Sequence, residues 1–278
     1  MTPEEFIDWA IKEDIGDGDH TSLSTIPANT QKKARLLVKE DGIIAGIDVA
    51  KTVFHKIDSS IKFSEIIKDG ASIKKGDIAF TVEGNAQKIL MAERLALNFL
   101  QRMSGIATHT NYLASLIKDY KTKVLDTRKT TPGIRYFEKL AVKIGGGENH
   151  RFGLYDMILI KDNHIDYAGS IKNAIDNTLA YLEANQLNLK IEIEARDLEE
   201  VKQILDVGKI NRIMLDNFSY ENLKTAIKLI DGTYETEASG NINASTIEEY
   251  AKCGVDYVSV GALTHQIKSL DMSLKAFE

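Results

Sequence analysis

The sequence contains one cysteine, Cys253, in 278 residues. An internal disulfide is therefore excluded, and so is any zinc or iron–sulfur site built on several thiolates. No apolar run reaches the about 18 residues of a membrane-spanning helix. The start, Met1-Thr2-Pro3-Glu4-Glu5, lacks the basic segment of a secretory signal. The expectation is a reducing, cytoplasmic setting with no membrane partner. A positive surplus is missing as well: 35 Lys and Arg face 41 Asp and Glu, a formal net charge of −6. That argues against nucleic acid as the main partner. The chain has no GxxxxGK[ST], no GxGxxG after a strand, no HExxH and no GxSxG, so kinase, Rossmann dehydrogenase, zincin and α/β-hydrolase chemistries all lose support.

What is present is ordinary in bulk. Hydrophobic residues make up 43 % and charged residues 27 %, the composition of a globular chain with room for one large domain or two smaller ones. Thr2, Pro3 and Glu5 spell a capped helix start whose buried stripe should be Phe6, Trp9 and Ala10. Residues 30–84 read as an antiparallel β region, with runs at 34–38, 43–45, 61–67 and 78–82 punctuated by Asp41-Gly42, Asp69-Gly70 and Lys75-Gly76-Asp77, and a helix near 49–55. Residues 85–119 read as two helices joined at Gly105. In the first, Ile89, Ala92, Ala96, Phe99, Leu100 and Met103 share one face, opposite Arg94, Asn98 and Gln101.

From residue 121 the texture becomes β/α alternation. Strands are expected at 123–125, 141–144, 157–160, 190–194, 212–215, 234–238 and 257–260, the last four recurring about every 22 residues. Seven such strands predict an open, incomplete (β/α) barrel, with a doubly wound sheet as the alternative. The domains are then 1–111, with the tail 264–278 packing back on it, and a barrel domain over 112–263.

Chemistry in (β/α) barrels sits at the C-terminal ends of the strands. Those ends here carry Asp126 to Lys129, then Gly145-Gly146-Gly147 with Asn149, His150 and Arg151, then Lys161 to His164. Glu194, Asp216-Asn217, Ser239-Gly240-Asn241 and Ser259-Val260-Gly261 follow. Any one of these is more often a cap or turn former than a catalyst, but a structural barrel has no need of such groups on every strand. Charge sharpens the reading: residues 121–165 hold nine Lys or Arg against five acids. Lys121, Lys139 and Lys143 fit a solvated face. Arg128, Lys129, Arg151 and Lys161 fall at converging strand ends, where cations repel unless an anion lies between them. Arginine suits carboxylate or phosphate, and the glycine loops 145–147 and 239–241 offer backbone N–H groups to phosphate. Glu194 and Asp216 form an acidic half that could bind Mg²⁺ or stabilise a cationic transition state. Such a site suits a polyanionic, metal-bound sugar pyrophosphate.

Taken together, the run Asp126-Thr127-Arg128-Lys129-Thr130-Thr131-Pro132-Gly133, the run from Gly145 to Asp156, and Ile160-Lys161-Asp162-Asn163-His164 closely resemble the quinolinate phosphoribosyltransferases. The likeness continues through Glu192-Ile193-Glu194, Leu215-Asp216-Asn217, Glu237-Ala238-Ser239-Gly240-Asn241 and Ser259 to His265. It reaches back to Glu93-Arg94-Leu95, Ser104-Gly105 and Glu13 to Asp19, with Asn241 standing where many members have glycine.

The resemblance implies an N-terminal α/β sandwich-like domain, an open seven-stranded α/β barrel, and a homodimer or larger assembly with its site at the subunit interface. It implies transfer of phosphoribose from phosphoribosyl pyrophosphate to quinolinate with decarboxylation, in the presence of Mg²⁺, giving nicotinate mononucleotide for NAD synthesis. By the same resemblance Arg128, Lys129, His150, Arg151 and Lys161 bind quinolinate, together with an Arg94 that enters from the neighbouring subunit. Lys129, Lys161, Glu194, Asp216, Ser239, Gly240, Asn241, Ser259 and Gly261 bind phosphoribosyl pyrophosphate. Lys129, Lys161, Glu194 and Asp216 are the catalytic set, and Glu194 and Asp216 hold the metal, directly or through water. Three rivals remain at this point. They are a Schiff-base aldolase using Lys161, a molybdenum-transport-associated relative, and a carrier module on the hairpin-like segment 69–84.

Overall fold

The structure is a computed structural model and describes residues 1–277. In chain order its first half runs α1 (Pro3–Ile15), α2 (His20–Thr25), β1 (Gln31–Val38), β2 (Gly42–Ile43), α3 (Ile47–Ile57), β3 (Lys62–Glu65), β4 (Ser72–Ile73), β5 (Ile78–Asn85) and α4 (Ala86–Leu116). The second half runs β6 (Lys123–Leu125), α5 (Arg135–Ile144), β7 (Ile158–Ile160), α6 (Asp162–Ala168), α7 (Ile171–Ala184), β8 (Ile191–Ala195), α8 (Leu198–Val207) and β9 (Arg212–Asp216). It ends with α9 (Tyr220–Ile230), β10 (Glu235–Ser239), α10 (Ile247–Lys252), β11 (Tyr257–Ser259), α11 (Ala262–His265) and β12 (Met272–Phe277).

The chain divides into two compact units. The first comprises residues 1–111, 130–146 and 263–278. Its antiparallel sheet has the order β12-β1-β5-β3, so the tail returns as an edge strand on β1, with Leu36 opposite Leu274. Leu36, Phe80 and Val82 from this sheet are buried, as are Val53 and Phe54 from α3, the amphipathic pattern expected of a half-buried sheet covered by helices. The α1 cap forms as the sequence predicts, with Thr2 and Glu5 bonding reciprocally. Its buried residues, however, are Ile7 and Ala10, while Trp9 is 50 % exposed beside Phe6.

Three further expectations change in this unit. Gly105 does not separate two helices, because α4 is one continuous helix. A Cβ at Gly105 would lie 2.4 Å from the Lys268 carbonyl oxygen, so the glycine permits close packing rather than a break. Residues 141–144 are not a strand but the last turn of α5, where Phe137, Ala141 and Val142 are buried. Their short apolar run is equally compatible with a helix face. Lys139, expected on a solvated face, is buried on the same helix.

The second unit comprises residues 112–129 and 147–262. It is an open parallel sheet of six strands, ordered β6-β11-β10-β9-β8-β7. The position expected of a seventh strand is reduced to one isolated parallel bridge between Leu125 and Glu148. From β7 to β10 each strand is followed by a helix. Asp197 and Ser219 cap α8 and α9, and Gly208 ends α8 with φ +67°. Because the strands are parallel, all their C-terminal ends lie on one edge of the sheet.

Candidate active site

Alternation along the strands builds the site in layers. Glu192 and Glu194 fall on one face of β8, Arg212, Met214 and Asp216 on one face of β9, and Glu235, Glu237 and Ser239 on one face of β10. Register places Ser239 opposite Asp216 and Glu194 opposite Met214. Register also sets Glu237 opposite Met214, level with Glu194, so contacts rather than rows separate two groups: an upper layer of Glu194, Asp216 and Ser239, where Lys161 reaches Glu194 and Ser239 bonds Asp216, and a lower layer of the fully buried Glu192 and Glu237 around His150.

The upper layer carries both signs. Lys161 follows directly on β7, and its Nζ lies 3.6 Å from Glu194 Oε2. Burial raises the Glu194 carboxyl above its ordinary range. Lys161 opposes that shift, and the nearby charges of Asp216 and Asp162 add to it. Asp216 accepts the Ser239 hydroxyl through Oδ1 and the Asn217 side-chain amide through Oδ2. Asn217 also donates its backbone N–H to the Ser239 carbonyl at 2.9 Å. Next to it, Gly240 has φ +103° and Asn241 φ +51°, a left-handed pair that turns the β10 loop over Asp216 and leaves Asn241 exposed.

The cationic side is built by the loops after β6 and the Glu148 bridge. Arg128 and Lys129 are exposed, and the Lys129 N–H donates to Thr127 Oγ1 at 3.0 Å. Asp126 is fully buried and accepts the His150 backbone N–H at 2.8 Å, which ties the two loops together. Arg151 donates through Nη1 to the Met157 carbonyl at 3.1 Å. Burial, then the neighbouring charge of Arg128, hold its guanidinium below its ordinary value. The two arginines thus converge closely enough to repel, as expected of an anion site.

His150 has a different setting from the other predicted residues. Its side chain is 6 % exposed, with Nε2 2.9 Å from Glu192 Oε2 and 3.4 Å from Glu237 Oε2. Arg212 Nη1 lies 3.3 Å from Glu237 Oε2 and 3.9 Å from Glu192 Oε2, with the guanidinium 4.2 Å over the Tyr257 ring. Burial lowers the His150 pKa and the close carboxylates of Glu192 and Glu237 raise it, while the Arg151 N–H donated to Nδ1 at 2.6 Å favours the neutral ring. Burial and the Glu237 charge push Glu192 up to about 7. His150, Glu192 and Glu237 are also close enough to be considered as metal ligands. Yet Nε2 and Glu192 already sit at direct hydrogen-bond distance, and Arg212 faces both carboxylates. The cluster carries its own counter-cation in Arg212, and His150 Nε2 and the Glu192 oxygens are close without an aligned hydrogen bond.

Most of the predicted set therefore gathers in the second unit. Arg128, Lys129, Arg151, Lys161, Glu194, Asp216, Ser239, Gly240, Asn241 and Gly261 lie at or just beyond the C-terminal edge. Ser259 is directed into the lower layer, where its hydroxyl bonds Glu237. Arg94 belongs to the first unit and is exposed on α4. The loop 145–147 departs from its expected role. The Gly145 and Gly146 N–H groups are consumed by the Ala141 and Lys143 carbonyls at the end of α5. A Cβ at Gly145 would meet the Ala107 carbonyl oxygen at 2.4 Å. Gly145 serves close packing and Gly146, with φ +92°, a left-handed turn, rather than phosphate. Glu192, Glu237 and Arg212 were not singled out individually. The signal was available in the period-two alternation of acids with apolar residues along β8 and β10. A cavity of about 500 Å³ lined by Lys121, Lys190, Asn211, Tyr234 and Asp256 opens at the opposite end of the strands and contains none of this chemistry.

Comparison with known proteins agrees with this geometry. The sequence model "Quinolinate phosphoribosyl transferase, N-terminal domain" matches residues 19–104, and the corresponding C-terminal domain matches residues 106–275. A nicotinate-nucleotide pyrophosphorylase [carboxylating] of Arabidopsis thaliana is 47 % identical over 97 % of this chain and 81 % of its own length. A probable nicotinate-nucleotide pyrophosphorylase of Bacillus subtilis is 41 % identical over 94 % of this chain and 89 % of its own. The crystal structure of NadC from Streptococcus pyogenes superposes with a TM-score of 0.94 at 40 % identity, covering 100 % of this chain and 99 % of that one. With both domains matched and identity at this level along nearly its whole length, the chain belongs to the quinolinate phosphoribosyltransferase family.

Proposed function

We propose that this protein transfers phosphoribose from phosphoribosyl pyrophosphate to the ring nitrogen of quinolinate, with loss of carbon dioxide and pyrophosphate, and so forms nicotinate mononucleotide for NAD synthesis. The observation that carries this reading is one strand edge with two opposed halves: converging Arg128 and Arg151, and the Glu194–Asp216 pair with Lys161 beside Glu194. Quinolinate is a dicarboxylate and needs several cations. A sugar whose C1′–oxygen bond is breaking becomes cationic and needs carboxylates.

Catalysis is positioning and electrostatics. Arg128 and Arg151 hold the two carboxylates and aim the ring nitrogen at C1′. Glu194 and Asp216 stabilise positive charge as the bond to pyrophosphate loosens, and Lys129 and Lys161 take up charge on the departing oxygens. Ser239 and Gly240 shape the loop over the phosphoribosyl group. Once the ring nitrogen carries the ribosyl substituent, the pyridinium draws electrons from the adjacent carboxylate and carbon dioxide leaves.

Glu194 and Asp216 suit Mg²⁺. They are oxygen donors that repel each other and lie beside the site of the pyrophosphate, the donor set of a hard cation. When bound, the ion would neutralise charge on the leaving pyrophosphate. The assembly proposed is a cytoplasmic homodimer or larger oligomer in which Arg94 completes a neighbouring subunit's site. Among the described residues, no helix is long and apolar enough to cross a membrane.

The aldolase reading loses ground because the Lys161 side chain is 49 % exposed and ion-paired, whereas a Schiff-base lysine is desolvated. The test is an assay of purified protein with quinolinate, phosphoribosyl pyrophosphate and Mg²⁺, measuring carbon dioxide and nicotinate mononucleotide. Product is expected from quinolinate but not from nicotinate. No product from quinolinate would refute the reading. Wild-type turnover in Glu194→Gln and Asp216→Asn would refute the role given to those acids.

A further inference from the structure

We propose that Glu192 and Glu237 are positioning residues that act through His150 to set Arg151, and hence the anion-binding half of the site. The proposal rests on the function given above only for the identity of the anion. Both ring nitrogens of His150 are directed at the protein itself. Nε2 faces Glu192 and Glu237 at 2.9 and 3.4 Å, and Nδ1 accepts the backbone N–H of Arg151 at 2.6 Å. The backbone N–H of His150 is fixed on Asp126. An imidazole held in this way has one orientation and one tautomer, with the proton on the Nε2 side and a lone pair on Nδ1. Because Nδ1 grips the main chain of the next residue, the start of the Arg151 side chain is placed by the ring.

Its far end is placed by the Met157 carbonyl, and the guanidinium lies beside Arg128. Two guanidinium groups do not converge spontaneously, so the pair needs a rigid support. The chain Glu192/Glu237–His150–Arg151 supplies one, anchored on β8 and β10. Arg212 offsets the charge of the two fully buried carboxylates, which would otherwise be costly to keep in the interior.

The test combines kinetics with spectroscopy. In Glu192→Gln and Glu237→Gln, the KM for quinolinate should rise about tenfold or more, while the KM for phosphoribosyl pyrophosphate stays within about twofold. In an Arg151→Ala background the same substitutions should add nothing further to the quinolinate KM, since their route of action is gone. A general structural weakening would raise both KM values or add to the Arg151 effect, and either result overturns the proposal. Nitrogen-15 NMR of the wild-type protein supplies a readout independent of turnover and of variant folding. His150 should carry its proton at Nε2 with Nδ1 bare, and a protonated Nδ1 overturns the proposal. If the wild-type protein makes no product from quinolinate yet His150 has this tautomer, the functional reading fails while the positioning chain stands.

Discussion

A Cβ placed on Gly240 falls 2.2 Å from Asn217 Oδ1 and 3.0 Å from the Asn217 backbone nitrogen. The loop after β10 and the loop after β9 are thus in contact at a point where no side chain fits, and Gly240 also has φ +103°. Both constraints act on Asp216, which receives hydrogen bonds from Asn217 and Ser239. Gly240→Ala should therefore displace the Asp216 carboxylate. The expected result is a fall of about 100-fold in kcat/KM for phosphoribosyl pyrophosphate, with quinolinate affinity by direct calorimetric titration largely kept. Near-normal kinetics in this variant would show that the β10 loop does not shape the phosphoribosyl side.

Glu138 is fully buried on α5 and is bonded four times. Its Oε1 accepts Arg102 Nε at 3.1 Å and Nη2 at 2.7 Å, as well as the Thr131 hydroxyl, while Oε2 accepts the Thr131 N–H. Arg102 also donates to the Thr264 and Ile267 carbonyls. One ion pair therefore pins α4, the loop before α5 and the return of the chain toward β12. Removing one partner leaves the other charge uncompensated, so Arg102→Met should cost about 3 kcal/mol. Chemical denaturation of Arg102→Met and of Arg102→Met/Glu138→Leu checks this. The double variant should recover part of the loss, because the orphaned carboxylate is gone.

Most of this architecture was legible in the sequence because polar residues at parallel strand ends leave a regular trace. The positions of Lys161, Glu194, Asp216 and Ser239 follow from where apolar runs stop. What was not legible depends on distance in space rather than along the chain. Gly105 reads as a break until the Lys268 carbonyl is found against it. Residues 141–144 fit a strand as well as a helix until Phe137 is seen to share their buried face. Glu192 lies two residues before Glu194, and nothing in the type of residue says that one faces Lys161 and the other a histidine. That distinction is made by depth along the strand.

Arg94 tests the oligomer. It is an exposed cation on α4, next to Glu93 and one turn before the exposed Asn98, and in the proposed function it serves a neighbouring subunit. Arg94→Ala and Lys161→Ala should each be inactive alone. Mixed in equal amounts under conditions that allow subunit exchange, they form heterodimers in which one site carries both lesions and the other carries neither. Half of a statistical mixture is heterodimer and half of the sites in each are intact, so about a quarter of wild-type activity should return. Exchange is verified by mass spectrometry of differently tagged chains. Recovery near that level requires that the arginine and the lysine of one site come from different copies. With exchange demonstrated and no recovery, Arg94 would act within its own chain, and the shared-site arrangement would be wrong.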